Sequence, residues 1–262
     1  MIFKKKDNKG VAKHESKPKG PGFFAKLYNL LFHEDVYYRI GGYLVFGLVL
    51  FLIAWAVFQF VLVRPNLLGD SFMVQKLFKV QTVNTLGTWG AKHFGETWQI
   101  FQWKINVADT FKIWGNVFLL TFTYFLNHLI FVIPFILFFN FFKVGRWNLG
   151  AIYFGFYTVL WGIVTGTQSL TFPYGANQVF GPLILFARFG LWTWFSYLLL
   201  TVSTTQFTWL SAPNWSAWSW NKERKFWPVS FTPDQREVFI YGLLFLLASS
   251  FAEARIFVHY NL

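Results

Sequence analysis

Arg188 and Glu253 are the two residues whose chemistry stands out, because each is a full charge set inside an apolar run. No Lys, Arg, Asp or Glu lies between Arg146 and Arg188, or between Arg188 and Lys222. An ionisable group at bilayer depth is costly and calls for an internal partner. Arg188 falls about eight residues into one apolar run and Glu253 about five from the end of another, so helical rise puts both ~8–10 Å below the same surface. The matching depths predict that they pair, directly or through Gln178; the competing reading lets Arg188 snorkel to the outer headgroups. His128, beside Asn127, could ligate a haem or chlorophyll or relay protons. Without a second ligand at helical spacing, a hydrogen bond to a neighbouring helix is the expected role. Asn116, Asn140 and Gln168 read the same way, as interhelical hydrogen-bonding groups.

Other chemistries find no support. The sequence has no cysteine, which excludes disulfides and thiolate sites. There is no phosphate-binding glycine loop with lysine, no histidine pair at metal spacing and no carboxylate dyad, so neither a catalytic residue nor a metal site is expected. Gly166-Thr-Gln-Ser-Leu is no nucleophile elbow, since its serine falls one place late and the second glycine is missing.

The elements that must carry these residues follow from composition. With 55% hydrophobic, 23% aromatic and 13% charged residues, the chain departs from soluble averages toward the all-α, polytopic class of membrane proteins. Residues 1–22 form a lysine-rich, disordered cytoplasmic tail, and 23–39 an interfacial amphipathic helix. The first transmembrane helix is expected over 40–63, stopping at Arg64-Pro65. Residues 64–112 mix charge with tryptophan and predict interfacial helices broken near 87–95. A central three-helix core covers 113–210: a long span over 113–142 that must tilt or kink at Pro134, a third from 148, a charge-free bend at Pro173-Tyr174-Gly175, and a fourth to 210. A cytoplasmic loop (211–237) and a last span with an outer tail (238–262) complete about five crossings.

Charge sets the orientation. The segments that five crossings place inside carry fifteen Lys and Arg, and those outside carry seven. This bias predicts a bacterial cytoplasmic membrane protein with its amino terminus inside and its carboxyl terminus outside. The formal net charge of +12 sits largely in the amino-terminal tail, which points to anionic lipid rather than nucleic acid. Bound lipids and other membrane subunits are the expected partners, with no cofactor.

The arrangement resembles the stage II sporulation protein M family of bacterial membrane proteins. Asn116 stands where that family opens its second span with asparagine. Asn140 and Gly145 occupy the positions of its asparagine and final glycine some two dozen residues later. Pro173-Tyr174-Gly175 with Gln178 matches a later bend, and Glu253-Ala254 closes the last span. Phe141, Tyr174 and Gln178 replace a small residue, a histidine and a glutamate, so the resemblance implies the fold rather than a chemistry. It implies a non-catalytic subunit that scaffolds an envelope complex. Two alternatives remain open: a transporter or channel using the helix breaks at Pro134 and Pro173, and a subunit holding a cofactor or pigment in an electron-transfer or photosynthetic complex through His128.

Overall fold

The computed structural model describes residues 22–62, 67, 97–100, 103–167, 169, 183–184, 186–217, 219–226 and 229–261. The basic tail, most of the 64–96 segment, Gln168, the Pro173-Tyr174-Gly175 bend and Gln178 lie outside these residues.

Helices form where apolar runs meet good start signals. The short helix α1 (Phe23–Leu31) ends in a turn in which Asp35 accepts a hydrogen bond from the Tyr37 amide at 2.7 Å, capping α2 (Val36–Ala56). This places the start of the first long helix four residues ahead of the hydropathy boundary at 40. A π-helical extension, Val57–Leu62, continues it.

Most of the interfacial helices expected over 64–112 fall outside the described residues; within that segment, residues 97–100 and 103–106 form a hairpin. Strands β1 (Thr97–Ile100) and β2 (Trp103–Asn106) pair antiparallel. Helix α3 (Val107–Asn127) then starts well before residue 113. It passes through a π turn, His128–Val132, into α4 (Ile133–Asn140). The distortion has a cause: Pro134 has no N–H to give the carbonyl four residues back. The preceding turn widens, so that the Ile133 amide reaches His128 O, five residues away. The apolar part, Ile113–Asn140, is 28 residues long, about 42 Å at helical rise and longer than a ~30 Å hydrocarbon core.

Helix α5 (Leu149–Gly166) is capped by Asn148. A π turn, Phe186–Gly190, leads into α6 (Leu191–Thr204). The last helix, α7 (Pro233–Asn261), starts within the segment assigned to the 211–237 loop. Its start is a capping box: Thr232 accepts from the Gln235 amide while the Gln235 side chain accepts from the Thr232 amide at 3.0 Å. Pro233 at the first position and Asp234 in the first turn complete the signal. Among the described residues, four helices are long and apolar enough to cross a membrane: Val36–Leu62, Ile113–Asn140, Leu149–Gly166 and Pro233–Ile256.

The element expected as a fourth span is the core of the bundle. From Thr193 through Thr204 every residue of α6 except Phe195 is buried, enclosed by α2, α4, α5 and α7. Trp194 anchors it at 1% exposure: its indole N–H donates to Thr158 Oγ1 at 2.8 Å and its ring packs on Phe154. Helices α2 and α5 meet backbone to backbone, because a Cβ at Gly162 would lie 2.6 Å from Ala54 Cβ and 2.9 Å from Phe51 O. Large apolar side chains such as Leu52, Ile53, Phe118, Phe122, Phe131 and Phe135 face outward, as a lipid-facing surface requires.

The all-α expectation needs one further correction. Four short strands, β3 (Phe142–Val144), β4 (Trp147–Asn148), β5 (Leu210–Ala212) and β6 (Asn221–Lys222), form a sheet in the order β4-β3-β5-β6. Strands β3 and β5 run parallel, with Lys143 opposite Ser211, because each leaves a helix that exits the bundle at this end. Gly145 makes the tight β3–β4 turn with φ +59, a region glycine enters at no steric cost.

Candidate functional site

Among the described residues, two polar groupings occupy the bundle, one along α3 and α7 and one at the end closed by the sheet. The first follows the inner face of α3. Asn116, Leu120, Tyr124 and His128 recur every fourth residue, which places them on one stripe, and all four are buried. Lower on this stripe, His128 Nδ1 bonds the Tyr197 hydroxyl of α6 at 2.5 Å, and Tyr197 packs against Tyr157 of α5 with ring centroids 4.6 Å apart. Higher up, Val117, Leu120 and Tyr124 pack with Ala254 of α7. Glu253 is 6% exposed and lies within electrostatic reach of the phenols of Tyr124, Tyr157 and Tyr197. A buried carboxyl, three tyrosines and a histidine thus share one region of the interior.

Arg188 is placed differently. It is exposed on the π turn ahead of α6, whereas Glu253 is buried on α7. A bridge through Gln178 falls outside the described residues. Asn127 is exposed, one position off the buried stripe. Asn116 is buried, but neither its Oδ1 nor its Nδ2 has a partner.

The second grouping is a clamp between the connectors. Asn140, at the end of α4, donates to Thr201 O at 3.0 Å and to Thr204 Oγ1 at 2.5 Å. Asn148 uses both ends of its amide. Its Oδ1 accepts from the Gly150 amide at 2.8 Å, capping α5, while its Nδ2 donates to Asn140 O and Thr205 O, each at 3.1 Å. Gly150 leaves the room that the Asn140 amide occupies, since a Cβ there would overlap it. Arg39 reaches in from α2, donating to Thr205 Oγ1 at 2.5 Å and to Glu34 O at 3.4 Å. Arg224 donates to Thr208 O and Phe207 O with its guanidinium over the Phe207 ring; burial lowers its pKa from the usual arginine value.

Of the residues singled out by sequence, the clamp contains Asn140. The others, Arg39, Asn148, Thr205, Thr208 and Arg224, left weaker traces. Asn148-Leu-Gly150 after a charged turn is an N-cap signal, and Thr201, Thr204, Thr205 and Thr208 recur at helical spacing.

The arrangement as a whole holds helices in place. No group of His, Asp and Glu that could hold a metal ion occurs among the described residues. The chain matches no protein-family model, no curated protein and no solved structure.

Proposed function

We propose that this chain is a non-catalytic integral subunit that scaffolds a larger bacterial membrane complex, with an architecture like that of the stage II sporulation protein M family. The carrying observation is how four of its interior hydroxyls are satisfied. Thr121, Thr158, Thr204 and Ser250 each donate to a carbonyl of their own helix at 2.7–2.8 Å. Hydroxyls bonded in this way leave little to line a continuous polar path through the bundle. Meanwhile the outward faces of α2, α3 and α4 offer exposed aromatic and aliphatic side chains on which lipids and neighbouring helices can pack.

The proposal includes five crossings with the amino terminus in the cytoplasm. Its support is parity. The start of α2, the β3–β4 turn and the connector after α6 all border one cavity at one end, so α6 serves as the return pass between β4 and β5. That end carries Arg39, Lys143, Arg146 and Arg224, in keeping with cytoplasmic placement.

The transporter alternative draws on the grouping of Glu253, Tyr124, Tyr157, Tyr197 and His128, since a carboxyl buried within the bundle can serve an ion path. Mild-detergent purification under native conditions separates the readings. The scaffold predicts co-eluting membrane subunits in fixed ratio and no visible absorption. A lone, colourless species that moves solute across liposomes, or one with chromophore bands, would overturn it.

A further inference from the structure

The end of the bundle closed by the sheet holds a cavity of about 780 Å³, within the size range of small-ligand sites, roughly 300–1,000 Å³. We propose that it is a seat for a phosphate-bearing anion, either the headgroup of an acidic phospholipid or a soluble phosphate compound. The inference needs only the fold and stands apart from the scaffold role.

Charge is the first ground. Four cations, Arg39, Lys143, Arg146 and Arg224, line the cavity against two carboxylates, Glu34 and Glu223. Both carboxylates are exposed, and that of Glu223 is engaged by the Ser211 hydroxyl. Neither is hydrogen-bonded to Arg39, which bonds Thr205 Oγ1 and the main-chain carbonyl of Glu34 instead.

The second ground is independent of the charge count. Arg39 is 7% exposed, and its Nε is buried without any hydrogen-bond partner. A buried guanidinium hydrogen-bonded only to neutral acceptors, with the exposed Asp35 carboxylate within electrostatic reach but one donor unmet, is an expensive arrangement until an anion enters. The neighbouring guanidinium of Arg224 is oriented by two carbonyls through Nε and Nη2, which leaves Nη1 uncommitted among the described contacts. Guanidinium groups pinned before a ligand arrives suit the planar, multidentate recognition of phosphate.

The setting supplies the rest. Three separate connectors build the walls, so an anion there would tie together α2, the β3–β4 turn and the segment after α6. Thr205 and Thr208 add hydroxyls beside the cations. The cavity sits at the charged end of an apolar bundle, the level at which headgroups lie.

The test uses the full-length protein in neutral detergent, with thermal unfolding as readout. It is titrated separately with phosphatidylglycerol, phosphatidylcholine and inorganic phosphate. Phosphatidylglycerol is expected to raise the unfolding temperature in a saturable, salt-sensitive manner. Replacing Lys143 and Arg146 together by Gln is expected to raise the half-saturating concentration by at least about tenfold, through the loss of two cations from the lining. The exposed Arg255→Gln is expected to leave it unchanged. Both lysine and arginine side chains in the double variant lie outside the buried clamp, so the protein remains foldable. A response to phosphatidylglycerol alone assigns the seat to lipid, and saturation by inorganic phosphate alone assigns it to a soluble anion. No stabilisation by either probe, an equal effect of phosphatidylcholine, or an unchanged half-saturation in the double variant would overturn the proposal.

Discussion

Replacing Asn148 discriminates between its two roles, because its carbonyl and amino groups face different partners. In Asn148→Ala the helix α5 loses its cap, a change of about 1 kcal/mol. The variant also loses the donors to Asn140 O and Thr205 O, both at 3.1 Å. Those carbonyls lie against a buried side chain, and two net hydrogen bonds at about 1 kcal/mol each bring the total to roughly 3 kcal/mol. Asn148→Asp keeps the acceptor for the Gly150 amide and so preserves the cap. It turns a second oxygen toward two carbonyl oxygens, exchanging attraction for repulsion. The expectation is therefore that Asp is at least as damaging as Ala, against its ordinary ranking as a good capping residue. Thermal unfolding in detergent checks this; at about 2–4 °C per kcal/mol for chains of this size, the Ala variant should lose ~6–12 °C. An Asp variant as stable as the parent would refute the clamp, since the cap alone would then account for Asn148.

Three further outcomes follow from packing and hydrogen bonding. Tyr197→Phe and His128→Leu should each cost about 1–2 kcal/mol, while the double variant should cost about 1 kcal/mol less than their sum, as a double-mutant cycle on unfolding free energies would record. Gly162→Ala should destabilise by about 1–3 kcal/mol through overpacking against Ala54 and Phe51, and Gly162→Leu should abolish recovery of monodisperse protein in size-exclusion chromatography. Thr232→Ala should cost about 1 kcal/mol by removing half of the capping box, read as faster hydrogen exchange confined to the first turns of α7.

The apolar runs were legible because bilayer-spanning helices need length and hydropathy and little else. The starts of α2 and α7 were missed, although Asp35 and Thr232-Pro-Asp-Gln235 mark them, because hydropathy windows pass over capping residues, which are polar. The small sheet had no such trace. Strands of two or three residues carry no period, and β3 meets β5 only because two helices deliver them to the same place. The centrality of α6 was hidden for a related reason: Thr193, Ser196, Thr201, Ser203 and Thr204 resemble surface polarity, yet they are buried. Ser203 and Thr204 bond the Leu200 carbonyl of their own helix, while Thr193 and Ser196 bond Ser249 and Gly242 O of α7, so these four hydroxyls pack without water. Asn116 and His128 were visible singly, whereas their shared stripe through Leu120 and Tyr124 emerges only when the fourth-residue spacing is followed along α3. Asn140 joins the clamp and Gly145 makes the turn beside it.

The parallel pairing of β3 with β5 has a mechanical meaning. It stitches the exit of α4 to the exit of α6 through main-chain bonds, such as those from Trp209 and Leu210 to Phe141 O, whose strength is indifferent to side-chain identity. Two helical arms fastened together at one tip behave like tongs: separation at the fastened tip must break the stitch, while separation farther along need only part side chains. Slow opening is thus expected to begin away from the sheet, and whatever sits beneath the stitch is sheltered from that motion.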